Sequence, residues 1–291
     1  MEISKILWAM LPAFFLGGSP SRPVAAGRSA GSVVEFTLQS VAYARPRKVW
    51  VYQPAGYPGA CGTGCALVVA FDGGVYTGDI PLPAILDSLT ASHSIAPTIA
   101  LLIDDASGAD RIADLANHQR FVTYVADELV PWLRGKWRVT RDPARTIVTG
   151  SSAGGLAAAY LAFNRPELFG NVLSQSGAFW RGNEGTDDPP YEWLTAQYAA
   201  APRKPIRFFL DVGSTESHGA MNGAAPSILD ANRHLRDVLR EHGYKIDYYE
   251  VPNGVHAAES WRLRLPTGLA ALALAANSGG VGKQQRFPDE R

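Results

Sequence analysis

An apolar, β-branched run, Ile147-Val148-Thr149, passes straight into Gly150-Ser151-Ser152-Ala153-Gly154, and an Ala-rich helical stretch follows at once. A chain that turns from strand to helix with no intervening loop has few ways to fold. The central residue is forced into an unfavourable backbone conformation and neighbouring backbones are brought close, which Gly and Ala permit. A serine hydroxyl raised at such a corner lies at a helix N-terminus. A backbone N–H and the positive end of the helix dipole can there stabilise developing negative charge. The G-x-S-x-G spacing makes Ser152, and not Ser151, the candidate nucleophile. The alternative is a glycine-rich turn without chemistry.

The surrounding chain alternates strands with helices. Strands are expected over 32–38, 47–52, 66–71, 98–103, 145–149, 172–176, 206–212 and 245–251. Several of these are continuous apolar runs, as buried strands are. Helices are expected over 80–89, 118–133, 155–164, 225–242 and 260–275, with Gly243 closing the fourth. Residues 72–74 read as a tight turn, and 180–203 as a polar, aromatic insertion without regular structure. Such alternation specifies an α/β protein, a mostly parallel central sheet with helices on both faces. The opening antiparallel pair followed by this alternation is the α/β-hydrolase layout. No linker divides 27–276, which is read as one domain.

The first 26 residues read as a secretory signal. Lys5 precedes an apolar stretch, 6–16, and Val24-Ala25-Ala26 fits a small-residue cleavage site. The stretch is short for a membrane-spanning helix, so a periplasmic or secreted protein without stable membrane insertion is expected. Residues 277–291 are polar and are expected to form a disordered tail. The chain has 27 basic and 27 acidic residues and a formal net charge of zero, which gives no reason to expect nucleic acid or an acidic membrane as partner. Cys61 and Cys65 are the only cysteines. In an oxidising compartment they can close a small disulfide loop; the alternative is a pair of free thiols. No further Cys/His cluster completes a metal site around them.

A serine needs a base, and in α/β-hydrolases the partners follow in the order serine, acid, histidine. His256 lies just past the last expected strand, at the end of the sheet where ligands bind in open α/β folds. It is the candidate base; His234 and His242 fall on a helix. The acid is sought after the strand ending near Val212. Glu216, in the following loop, is favoured over Asp211, Asp230 and Asp237. One oxyanion donor is expected to be the Ala153 N–H, the second a backbone N–H around Gly73, Gly74 and Val75, with Gly74 as the choice.

Three stretches carry a family resemblance: Val148-Thr-Gly-Ser-Ser-Ala-Gly-Gly-Leu156, Arg165-Pro-Glu-Leu-Phe-Gly170 and Leu173-Ser-Gln-Ser-Gly-Ala-Phe-Trp180. With Phe71-Asp-Gly73, Arg111, Asp127-Glu-Leu-Val-Pro-Trp132 and the Ser260-Trp261-Arg262 that follows His256, the chain resembles the enterochelin esterase-like branch of the esterase D superfamily. The resemblance implies a serine esterase that needs no metal or organic cofactor and acts on a small-molecule ester. It carries Ser152 and His256 over, with Glu216 at the acid position of some relatives. Arg111 matches an arginine that either binds an anionic substrate or pairs with Asp104 or Asp105. Two departures stand out. The extra N-terminal domain of the cytoplasmic ferric-enterobactin esterases is missing, and Asn253-Gly-Val-His-Ala257 replaces the frequent Gly-Gly-His-Asp.

Siderophore trilactones and aromatic-acyl esters are the candidate substrates. Arg111 and Arg181 are candidate cations for them, and Trp180, Tyr191, Trp193 and Trp261 candidate stacking surfaces. The competing readings are a feruloyl or acetylxylan-type esterase of plant cell walls, and a non-catalytic siderophore-binding protein on the same fold.

Overall fold

The computed structural model describes residues 30–104, 109–183 and 186–277. The expected leader, the tail beyond Asn277 and Asp105 lie outside them.

The sheet grows from its most buried strands. β3 (Ala66–Ala70), β4 (Thr98–Ile103), β5 (Thr146–Ser151), β6 (Asn171–Gln175) and β7 (Arg207–Gly213) show almost no alternation in burial. Apolar side chains on both faces of a strand require cover on both sides, so these runs form the parallel centre. β1 (Ser32–Ser40) is largely exposed and pairs antiparallel with β2 (Arg45–Gln53). β8 (Lys245–Val251) forms the other edge. The strand order is β1-β2-β4-β3-β5-β6-β7-β8; β2 meets β4 antiparallel, and every later pairing is parallel. This is the expected α/β-hydrolase architecture.

Helices clad both faces. α1 (Gly73–Thr77), α2 (Leu82–Ala91) and α9 (Ala258–Asn277) cover one, packing Tyr76, Leu82, Leu86, Leu265, Leu269 and Leu272 against Val68, Leu102 and Phe209. The other face holds α3 (Ala109–Leu115), α4 (Gln119–Thr123), α5 (Val130–Lys136), α6 (Ala153–Asn164), α7 (Trp193–Ala200) and α8 (Ile228–Glu241). α6 is apolar all round and buried from Ala153 to Ala162, as a central helix is. α8 is strongly amphipathic and turns Leu229, Ala231, Asn232, Leu235 and Leu239 inward. The Ser227 hydroxyl caps it by accepting from the Asp230 N–H, and left-handed Gly243 follows its end.

Five elements depart from expectation. The helix expected over 118–133 spans α4 to α5 but widens to π-type winding over Tyr124–Leu129. Pro131, without an N–H, leaves the Asp127 carbonyl no donor at the usual spacing, and the turn before it opens. Residues 72–74 start α1 rather than a bare turn. α3 was not foreseen. Neither was α7, inside the supposed irregular insertion: its Leu194 and Tyr198, one turn apart, are buried, and the Tyr198 hydroxyl donates to the Ala159 carbonyl at 2.9 Å. α9 runs through Asn277, the residue at which the tail was expected to begin. In the loop between β2 and β3, Cys61 and Cys65 form a disulfide with Cα atoms 4.5 Å apart.

Candidate active site

At the end of β5 the chain makes the corner its small residues require. Ser152 has φ 57° and ψ −122°, a conformation that costs a non-glycine residue on the order of 1–3 kcal/mol and persists where surrounding contacts enforce it. Those contacts are present. The Ser152 N–H donates to the Gln175 carbonyl at 2.9 Å, and its carbonyl accepts from the Ala178, Gly155 and Leu156 N–H groups at 3.0, 3.1 and 3.2 Å. Strand and helix also touch directly: a methyl group on Gly150 would stand 2.5 Å from the Gly154 carbonyl carbon. The small residues therefore allow the backbone crossing itself.

Two loops bring the candidate partners to the same end of the sheet. Beyond β7, the Ser214 N–H donates to the Val251 carbonyl and the Thr215 hydroxyl to the Gly254 carbonyl, lacing this loop to the one beyond β8. The lacing sets Glu216 opposite His256, with His256 Nδ1 2.5 Å from Glu216 Oε2. The Glu216 side chain is 4% exposed and the His256 side chain 36%, so a buried carboxylate backs an accessible imidazole. Glu216 Oε1 accepts two further bonds, from the Ser176 hydroxyl at 2.7 Å and the Gly213 N–H at 2.9 Å.

The other carboxylates are engaged elsewhere. Asp211 lies within β7, buried, and accepts from Gln175 Nε2 at 3.1 Å; burial pushes its pKa up to about 7. Asp230 accepts from the Ser227 hydroxyl, and Asp237 pairs with Arg236. Of the later histidines, His234 pairs with Glu192 on the surface.

Ala153 opens α6 and Gly74 sits in the first turn of α1, positions whose N–H groups have no carbonyl one turn back to bond. The two turns are neighbours: a methyl on Gly154 would stand 3.2 Å from Asp72 Oδ2, just ahead of α1. The same Asp72 carboxylate accepts from both Arg111 Nε and Arg111 Nη2. Asp72 was not among the partners expected for Arg111, Asp104 and Asp105, of which Asp105 lies outside the described residues. α3, which carries Arg111, is in turn pinned to the sheet by the buried pair Arg47–Asp114 at 2.6 Å.

Arg181 lies over the Trp180 ring, 4.7 Å from its centroid, and its Nη1 is 2.6 Å from Asp187 Oδ1. Burial and, more weakly, the charge of Arg111 push the Arg181 guanidinium below its usual pKa, against the opposing charge of Asp187. Trp180 is only 8% exposed, and Trp193 packs against Tyr160. Trp261 sets its ring edge against His256, centroids 4.9 Å apart, while its Nε1–H donates to the Ser176 hydroxyl at 2.9 Å. Gln175 Nε2 donates to the Trp261 carbonyl at 3.0 Å. This links the backbone beside Ser152 to the indole beside His256. Gln175 and Ser176 received no role from the sequence, although both lie in a stretch that carried the family resemblance.

Residues 40–272 match the model of the Esterase family. The iron(III) enterobactin esterase of Dickeya dadantii is 29% identical over 241 residues, which cover 78% of this chain and 51% of the relative. Its counterpart in Escherichia coli K12 is 29% identical over 238 residues, covering 82% and 56%. The chain thus spans about half the length of these relatives. Among solved structures, the enterobactin esterase of Shigella flexneri, crystallised in the presence of enterobactin, superposes with a TM-score of 0.72 at 28% identity, over 84% of this chain and 60% of that one. A ferulic acid esterase superposes with a TM-score of 0.70 at 18% identity, over 85% and 99%, a likeness of fold. A raised serine, an imidazole backed by a carboxylate and a match over most of its length together make this chain a member of the Esterase family of α/β-hydrolases.

Proposed function

We propose that the protein is a serine carboxylic ester hydrolase that works through an acyl-enzyme. The observation that carries this reading is the His256–Glu216 bond at the end of the sheet where Ser152 is raised. His256 Nε2 takes the Ser152 proton as Oγ attacks the ester carbonyl carbon. The C=O electron pair moves onto oxygen, and that oxyanion meets the Ala153 and Gly74 N–H groups. The tetrahedral intermediate collapses, the C–O bond to the alcohol breaks, and His256 returns its proton to the leaving oxygen. Water, deprotonated by His256, then attacks the acyl-enzyme and releases the acid and free Ser152. Glu216 holds the proton on Nδ1 and stabilises the imidazolium formed in each half.

For the substrate we infer a catecholate-type siderophore trilactone or its linear ester fragments. Support comes from the enterobactin esterases among the relatives; Arg111 and Arg181, the candidate cations, are each held by a carboxylate, Asp72 and Asp187. The leader segment supports action in the periplasm or outside the cell. The feruloyl reading rests on fold likeness alone.

The test is a comparison of substrates. Purified enzyme is expected to show a kcat/KM for ferric or iron-free enterobactin at least about tenfold above that for a feruloyl sugar ester, a preference of about 1.4 kcal/mol. The reverse order would transfer the protein to cell-wall esters. Binding of the ferric complex without turnover would return it to the siderophore-binding class.

A further inference from the structure

Ser176 has no part in the bond-making steps above, yet it is one of the most constrained residues of the site. It follows β6 directly and has φ 49°, left-handed for a residue that is not glycine. Its N–H donates to the Asp211 carbonyl at 2.6 Å, and the residue is 1% exposed. Non-glycine residues hold this conformation where surrounding contacts enforce it. Here the side chain meets Glu216 on one side and Trp261 on the other.

The hydrogens assign themselves. An indole N–H can only donate, so the Ser176 oxygen must accept from Trp261 Nε1. The single hydroxyl proton is then left for Glu216 Oε1, 2.7 Å away. The Gly213 N–H fills the rest of that oxygen at 2.9 Å. With Oε1 doubly occupied, Oε2 is the oxygen available to His256 Nδ1. A carboxylate with only one oxygen bound could rotate and offer either; this one is held in a single pose.

We propose that Ser176 is a positioning residue of the acid–base pair and that Trp261 acts through it by fixing the direction of its hydroxyl. The proposal rests on the reading of Ser152, His256 and Glu216 as the catalytic set. It also gives Trp261, expected against substrate, a task inside the machinery: its ring edge walls His256 and its N–H orients the group that orients Glu216.

The test uses the purified enzyme and four variants, Ser176→Ala, Ser176→Gly, Trp261→Phe and the double variant Ser176→Ala/Trp261→Phe, with p-nitrophenyl butyrate as substrate. Ser176→Ala is expected to lower kcat about tenfold, the scale of one hydrogen bond to an ionised group, with KM within about twofold because Ser176 does not meet the substrate. Ser176→Gly suits the left-handed backbone better and is expected to melt no lower than Ser176→Ala while losing the same activity. Trp261→Phe keeps a ring beside His256 and is expected to lose about threefold, and the double variant to be no worse than Ser176→Ala alone.

Wild-type kcat in Ser176→Ala with only a lowered melting temperature would make Ser176 a packing residue and overturn the proposal. So would recovery of kcat in Ser176→Gly, or losses that multiply in the double variant. Ser152→Ala, measured alongside, separates the two levels of the argument. If it is inactive while Ser176→Ala is fully active, the positioning role alone fails. If it retains turnover, the catalytic reading fails and the proposal goes with it.

Discussion

His256→Ala is expected to lower kcat/KM for an activated ester by about three to four orders of magnitude, with a melting temperature close to that of the wild type. The imidazole is a third exposed, so its loss costs little packing, while the reaction loses the base that Glu216 backs. Glu216→Gln is the more revealing change. The carboxamide has one oxygen, and the Ser176 hydroxyl and Gly213 N–H both point donors at the Oε1 position. The oxygen is therefore expected to stay there and the NH2 group to face His256 Nδ1. The imidazole must then accept at Nδ1 and carry its proton on Nε2, the tautomer that cannot deprotonate Ser152. Glu216→Gln is accordingly expected to lose about 10²- to 10⁴-fold, at least as much as Glu216→Ala despite its closer shape. Combining it with His256→Ala should add nothing, since the two residues act as a unit. A Glu216→Gln enzyme near wild-type activity would remove Glu216 from the mechanism.

The second large effect concerns stability. Asp211 is buried in β7 with Gln175 as its side-chain partner, and burial lifts its pKa to about 7. The unfolded chain ionises this group near pH 3.8, whereas the fold keeps the proton up to about pH 7. Between those values the native state binds more protons than the unfolded state, so stability falls as pH rises. The penalty is absent below the lower value and complete above the upper one. Three pH units correspond to on the order of 4 kcal/mol. Asp211→Asn removes the titration while keeping the shape. Urea unfolding between pH 4 and 8 is expected to show the wild type losing several kcal/mol relative to the variant across this window. Parallel curves would mean that Asp211 is ionised in the fold.

Much of the architecture was legible because it rests on local pattern. Thr98–Ile103 falls where its apolar run puts it, Lys245–Val251 matches its expected bounds, and the other strands begin and end within two residues of expectation. The corner at Ser152 was legible for the same reason, since Gly150 and Gly154 are the residues that let strand and helix cross. The carboxylate that meets His256 was harder to read, because Asp211 and Glu216 lie five residues apart around one strand end. What separates them is the tie of Thr215 to Gly254, a bond between loops 39 residues apart that leaves no mark on either segment. Arg111 shows the same limit: Asp72, a carboxylate it binds, lies 39 residues upstream. Ser176 was hidden for a further reason. Left-handed backbone is read from glycine, and here tertiary bonds impose it on a serine. α7 escaped because it is short and the stretch leading into it, 180–192, is polar and bears Gly and Pro.

The account turns on Ser152 forming a covalent bond with the acyl group, and a fluorophosphonate probe followed by intact-mass and peptide mass spectrometry tests that most directly. One adduct per chain is expected, on the peptide that contains Ser152, present in Ser151→Ala and absent in Ser152→Ala. An adduct on another peptide, or labelling of Ser152→Ala at the wild-type rate, would contradict it.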